Sequence, residues 1–158
     1  MEYGLIGEHL GHSYSAEIHE ILADYKYELK ELALEELGPF LEKKDFKGIN
    51  VTIPYKQAVI PYLDEVSEQA LAIGAVNTIV NRNGKLYGAN TDFAGMAALI
   101  DRLKIAMAGK KVLICGAGGT SKTAMAVARA KGAAEVYKLS RHAEIDREKA
   151  GADAEFVI

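Results

Sequence analysis

At 158 residues the chain is long enough for about one ordinary domain with a full core. Its 49% hydrophobic and 26% charged fractions, with 15 glycines, are those of a globular protein and exclude disorder, collagen-like repeats and coiled coil. No apolar run approaches the roughly 18 residues of a membrane span, and Met1-Glu2-Tyr3-Gly4-Leu5 lacks the basic and apolar blocks of a secretory signal, so the expectation is a soluble, cytoplasmic protein. A net charge of -3 provides no basic field for nucleic acid, and the single cysteine, Cys115, can form neither an internal disulfide nor a cysteine-based metal site.

In chain order, the apolar run at residues 2–6 predicts a strand ending at Gly7, and Ile18, Ile21, Leu22 and Tyr25 then recur at helical spacing. A second strand is expected over Tyr27 to Leu32, a helix with Leu34, Leu37, Phe40 and Leu41 on one face, and a third strand over Gly48 to Ile53, closed by Pro54. A helix follows near Ser67 to Ile73. Between Ala75 and Asn90 two strands flank Asn83-Gly84, a strong hairpin signal. The helical segment Phe93 to Leu103 turns Met96, Leu99, Ile100 and Leu103 one way and is expected to link two units.

From Lys110 the pattern becomes βαβ: strand Lys111 to Cys115, a glycine turn over Gly116 to Gly119, an alanine-rich helix from Ser121 to Lys131, and strand Glu135 to Leu139. Ala154 to Ile158 is a last strand candidate. The fold class expected is therefore α/β, with an N-terminal α/β domain over residues 1–103 and a dinucleotide-binding unit of Rossmann type over 104–158.

Gly116-Ala117-Gly118-Gly119-Thr120 sits between strand and helix, where glycines let backbone approach a pyrophosphate held at the helix N-terminus. Ser121 occupies the third glycine position of the G-x-G-x-x-G fingerprint, so the turn read alone is either a dinucleotide site or a plain tight turn. An NAD binder places an acid at the end of the second strand to accept the ribose hydroxyls. Here Ser140-Arg141-His142 follows Leu139, and an arginine suits the 2′-phosphate of NADP through charge-assisted bonds.

A second constellation precedes it. Asn50, Thr52 and Lys56 follow one strand, Asn77 and Thr78 lie on another, and Asn90-Thr91-Asp92 ends a third; strand ends are where α/β sheets bind ligands. Asparagines inside apolar runs are costly to bury alone, so Asn50 and Asn77 are expected to bond either a ligand or neighbouring loops. Taken singly, Lys56 is one of 14 lysines, Asp92 precedes a helix as an N-cap does, and Ser13 and Ser15 stand at a helix start with Glu17 in its first turn.

In combination the chain resembles the shikimate dehydrogenase family. His12-Ser13-Tyr14-Ser15, Asn50-Val51-Thr52-Ile53-Pro54-Tyr55-Lys56, Ile73-Gly74-Ala75-Val76-Asn77-Thr78, Gly88-Ala89-Asn90-Thr91-Asp92 and the glycine turn occur in that family's order. The resemblance implies NADPH-dependent reduction of 3-dehydroshikimate to shikimate in aromatic amino acid biosynthesis. It assigns Ser13 and Ser15 to the substrate carboxylate, and Asn50, Thr52, Lys56, Asn77 and Asp92 to the ring oxygens. By the same resemblance Lys56 and Asp92 would form the catalytic couple, while Gly116, Ala117, Gly118, Gly119, Thr120, Ser140 and Arg141 would hold NADP. No metal, nucleic acid or membrane is implied, and His9, His12 and His19 lack nearby sulfur ligands.

The chain departs from the family pattern at Ala16, where many relatives have proline, at Glu20 for asparagine, at Ser140-Arg141-His142 for Asn-Arg-Thr, and at Glu144 for a second basic residue. The 49 residues from Lys110 to Ile158 also fall short of a six-stranded doubly wound sheet, so a truncated cofactor unit with poor turnover is expected. The competing readings are a substrate-binding fragment without turnover and a quinate/shikimate dehydrogenase relative.

Overall fold

The computed structural model describes residues 1–139 and the backbone of 156–157. They fall into two compact units, Met1–Asn90 and Thr91–Ile158. In the first, the chain runs β1 (Tyr3–Gly7), α1 (Ser15–Leu22), β2 (Tyr27–Glu31), α2 (Leu34–Lys43), β3 (Gly48–Val51), a 3-10 turn (Ile60–Tyr62), β4 (Glu65–Val66), α3 (Glu68–Ile73), β5 (Thr78–Arg82) and β6 (Lys85–Ala89). One six-stranded sheet results, in the order β2-β1-β3-β5-β6-β4. The strands β1, β2 and β3 are mutually parallel, β5 is antiparallel to β3 and β6, and β4 is parallel to β6.

β1 reads as an unbroken apolar run because a central parallel strand is covered on both faces. One face carries Ile6, Ile49, Val51, Ile79 and Leu86 against Leu37 and Leu41 of α2. Complete burial of each such aliphatic side chain contributes about 2 kcal/mol. Tyr55 is buried in the same cluster with its hydroxyl donating to the Leu32 carbonyl at 2.5 Å, and burial raises its pKa. The other face packs Leu5, Leu10 and Tyr27 with Ala16 and Tyr25. The helical spacing around Ile18 does form α1, yet the helix has no buried residue: Ile18 is 52% and Ile21 85% exposed among the described residues.

β3 ends at Val51, two residues before its expected end, because the Thr52 carbonyl accepts the Tyr55 N–H at 2.9 Å and starts a turn. The 3-10 turn and the two-residue β4 are too short to leave a periodic pattern. The Asn83-Gly84 hairpin appears as expected, with φ of 54° and 83°, the paired left-handed residues of a type I′ turn. α3 is capped at both ends, Ser67 Oγ accepting from Ala70 N at 3.2 Å and Gly74 adopting a φ of 70°.

In the second unit α4 (Asp92–Arg102), β7 (Lys111–Cys115), α5 (Gly119–Ala130), β8 (Glu135–Leu139) and β9 (Phe156–Val157) build a parallel three-stranded sheet, β8-β7-β9. Ile100 of α4 shares a core with Met107, Val112, Ile114 and Val127. α4, placed before the expected boundary at Leu103, thus packs with the second unit, and the compact division falls at Asn90–Thr91.

Several ties in the first unit converge on one exposed cluster. Lys44 Nζ donates to Asp64 Oδ2 at 3.0 Å and to the Gly84 carbonyl at 2.6 Å, and Asn81 Nδ2 donates to the Lys44 carbonyl at 2.7 Å. The Leu86 N–H, bonded to Asp64 at 2.8 Å, and then the Lys44 ammonium hold the Asp64 carboxyl below the usual carboxylate range. A depressed folded-state pKa gives stability that is present at neutral pH and lost as pH falls through it. Urea unfolding should therefore show a gap between the parent protein and Asp64→Asn that is widest at neutral pH and closes below about pH 4; a gap independent of pH would contradict this.

Candidate functional site

The chain leaves β1 for β2 on one side and then crosses to β3 on the other, which creates a topological switch point. The carboxyl ends of β1 and β3, the start of β5 and the end of β6 share one edge of the sheet, because Asn50 faces Thr78 and Thr78 faces Ala89. Segments far apart in sequence therefore meet there by register alone.

The loop after β1 carries Ser13 and Ser15, both half-buried. Glu31 Oε1 accepts the Leu10 N–H at 2.7 Å, the Ser13 N–H bonds the Leu10 carbonyl at 3.0 Å, and Ser13 Oγ accepts the Ser15 N–H at 3.2 Å. The N-cap of α1 is Tyr14, without a side-chain bond, and Ser15 is the first helical residue, so Ser15 does not cap the helix. Ser13 thus takes the first N–H of α1, and two hydroxyls at a helix start are groups able to bond an anion.

Thr52 is fixed by its N–H to the Ile6 carbonyl at 3.0 Å. The carbonyl of half-buried Lys56 accepts the Val76 N–H at 2.7 Å, holding the turn after β3 against the approach to β5. Asn77 is buried; its N–H bonds Ala89 O at 3.0 Å and its carbonyl receives Val51 N–H at 2.8 Å. Asn90, also buried, donates from Nδ2 to Ala75 O at 2.9 Å. Asn50 reaches neighbouring strands: Nδ2 lies 3.2 Å from Thr78 Oγ1 and 3.4 Å from Asn77 O, and Thr78 Oγ1 lies 3.0 Å from Asn77 Oδ1.

Asp92 opens α4 in the second unit; the N-cap is Thr91, so Asp92 is no cap but a first-turn carboxylate favoured by the helix dipole. Ser13, Ser15, Asn50, Thr52, Lys56 and Asn77 all belong to the first unit, whereas Asp92 and the glycine turn belong to the second.

Sequence reasoning missed Glu31 and Tyr27. The Tyr27 hydroxyl donates to Asn50 Oδ1 at 2.7 Å, and burial, followed by the neighbouring Tyr25, pushes its pKa up to about 12. His19 stacks on the Tyr27 ring, 3.8 Å between centroids and 9° apart, with Nδ1 2.6 Å from Tyr25 Oη. His19 lies on α1, Tyr27 and Glu31 on β2 and Tyr25 between the two, and only the folded arrangement brings them to the strand edge. Among the described residues no three His, Cys, Asp or Glu side chains group as a metal site.

At the glycine turn Gly116 has a φ of 136°, which L side chains rarely adopt, and its N–H bonds Leu139 O at 2.8 Å. Gly118 has an ordinary φ of -70°, yet a Cβ there or at Gly116 would project into open space. α5 starts at Gly119 with no side-chain cap and no acid in its first turn, which includes Thr120. Ser121, in the third glycine position, is buried and satisfies its hydroxyl on Gly118 O at 2.7 Å. Small residues at Gly116, Ala117 and Gly118 beneath helical N–H groups fit the pyrophosphate of a dinucleotide. Ser140, Arg141, His142 and Glu144 lie outside the described residues.

Residues 5–79 match the shikimate dehydrogenase substrate binding domain. The chain is 45% identical over 147 residues to the shikimate dehydrogenase (NADP(+)) of Halothermothrix orenii, covering 87% of this chain and 51% of the relative. For the same enzyme of Clostridium beijerinckii the values are 42%, 88% and 54%. Shikimate dehydrogenase 1 of Peptoclostridium difficile superimposes with a TM-score of 0.82 at 36% identity, over 99% of this chain and 61% of that one. The Thermus thermophilus shikimate 5-dehydrogenase solved with NADP(H) and shikimate gives 0.80 and 32%, over 90% and 56%. The chain spans about half the length of the curated relatives it matches. The first unit thus carries the match to the shikimate dehydrogenase substrate binding domain, and the likeness to these enzymes continues through the glycine turn.

Proposed function

We propose that this chain binds shikimate at the shared strand edge of its first sheet and acts in the NADPH-dependent reduction of 3-dehydroshikimate to shikimate. The observation that carries the reading is the convergence of Ser13, Ser15, Asn50, Thr52, Lys56 and Asn77, from three chain segments, on one edge beside a topological switch point. The paired serines at the start of α1 suit the carboxylate. Asn50, Thr52, Asn77, Lys56 and Asp92 suit ring hydroxyls and the carbonyl oxygen. We assign NADP to Gly116, Ala117, Gly118, Gly119 and Thr120, with Ser140 and Arg141 taking the 2′-phosphate. When bound, the reduced cofactor supplies a hydride to the ketone carbon.

As charge gathers on the carbonyl oxygen, the Lys56 ammonium stabilises it and delivers the proton, an interaction stronger in the transition state than with the ground-state ketone. In the role the family resemblance gives it, Asp92 is the carboxylate that would orient that lysine, and solvent returns the proton the lysine gives up.

Titration calorimetry of shikimate tests the reading directly. The parent chain should bind, and Ser13→Ala with Ser15→Ala should weaken binding at least tenfold; no binding by the parent, or unchanged affinity in the variant, would sink it. Gly118→Val should reduce NADPH affinity at an unchanged thermal midpoint, since φ of -70° suits valine and only the open space above the turn is filled; unchanged NADPH binding would remove the turn from the cofactor site. In NADPH-consumption assays of a complete enzyme carrying this N-terminal half, Lys56→Ala should lower kcat about 100-fold or more with little change in KM. An effect on KM alone would make Lys56 a binding residue.

A further inference from the structure

We propose that Tyr27 is a positioning residue whose hydroxyl, acting through Asn50 and Thr78, fixes which end of the Asn77 side-chain amide the strand edge presents to its ligand. The inference rests on the shikimate-binding reading for the identity of that ligand.

The direction of each hydrogen bond follows from chemistry. The Asn77 carbonyl can only accept, so the Asn50 atom 3.4 Å from it is the amide nitrogen. That places Asn50 Oδ1 against Tyr27, which donates at 2.7 Å. With its pKa pushed up to about 12, the Tyr27 phenol keeps its proton across the physiological range. Thr78 Oγ1 accepts from Asn50 Nδ2 at 3.2 Å and gives its own proton to Asn77 Oδ1 at 3.0 Å. The carbonyl end of the Asn77 amide is thereby turned to Thr78 and the Nδ2 end away from it. A chain of one polarity, Tyr27 to Asn50 to Thr78 to Asn77, crosses three strands.

Its origin is anchored as well. The ring of Tyr27 lies in the Leu5 and Leu10 cluster and under the His19 ring of α1, the helix whose first turn carries Ser15. Asn50 therefore spends its amide nitrogen on neighbouring strands and, beside its own place at the ligand edge, transmits orientation. Reversing Asn77 would take away the acceptor of the Thr78 proton and leave that hydroxyl accepting from two amides, and Tyr27 opposes this by holding Asn50 in the orientation that donates to Thr78.

The experiment combines Tyr27→Phe, Thr78→Val and the double variant with Thr78→Ser as rescue, reading shikimate affinity by calorimetry, thermal midpoint, and the NMR side-chain amide signals of Asn50 and Asn77 without ligand. Tyr27→Phe should weaken shikimate about tenfold and shift the Asn77 amide signals, although residue 27 does not touch Asn77 in the relay. The double variant should be no weaker than Thr78→Val alone, and Thr78→Ser should retain parent affinity. Additive losses, or a Tyr27→Phe protein of lower thermal midpoint with parent affinity and unmoved Asn77 signals, would overturn the relay. If the parent fails to bind shikimate, the ligand assignment falls, and the Asn77 signals of Tyr27→Phe still decide whether the relay exists.

Discussion

Everything at the candidate site depends on the antiparallel pairing of β5 with β3. Because Asn50 faces Thr78 in that register, the end of one strand and the start of another become neighbours, and the Asn77 carbonyl can receive Val51 N–H while Asn77 N–H reaches Ala89. Slipping the pairing by one residue would turn Asn50 and Thr78 to opposite faces and break every side-chain bond between them. The buried Ile49, Val51, Ile79 and Leu86 oppose that slip, since it would also expose them. Packing on one face of the sheet thus enforces polar geometry on the other.

The polar groups in turn are compatible with burial because each has a partner. Buried asparagine amides are costly without hydrogen bonds. Asn77 and Asn90, at 7% and 4% exposure, sit in bonds to backbone and to Thr78, and among the described residues no buried side-chain nitrogen or oxygen lacks a partner. A network satisfied in this way is rigid, and rigidity at a ligand edge lowers the ordering cost of binding. The second unit uses backbone instead: Gly116 makes a turn that side chains resist, and Gly118 leaves space over the start of α5.

Much of this was legible in the sequence. β7 and β8 match their expected bounds to the residue because an apolar run between turn signals marks a buried strand well, and the Asn83-Gly84 hairpin has a backbone requirement that few residue pairs meet. The segments that carry the candidate site were visible as polar residues at strand ends. Tyr27 was not, because a tyrosine in an alternating strand reads as core, and its bond to Asn50 joins residues 23 apart in the chain. Helical spacing located α1 but not its surroundings: periodicity reports that one face is apolar, and Ile18 and Ile21 are nonetheless exposed among the described residues. Ser15 does stand at a helix start, as the sequence implies, but as the first helical residue and not as the cap.

The most direct test of the central claim is a map of backbone and side-chain amide NMR shifts as shikimate is added to the isotope-labelled chain. The account predicts perturbations confined in the first unit to the loop of Ser13 and Ser15, to residues 50–56, and to Asn77, Thr78 and Asn90, where the strand ends meet. Shifts centred instead on the open concavity at the opposite end of the sheet, around Tyr3, Lys47, Val80 and Arg82, or no shifts at all, would contradict it.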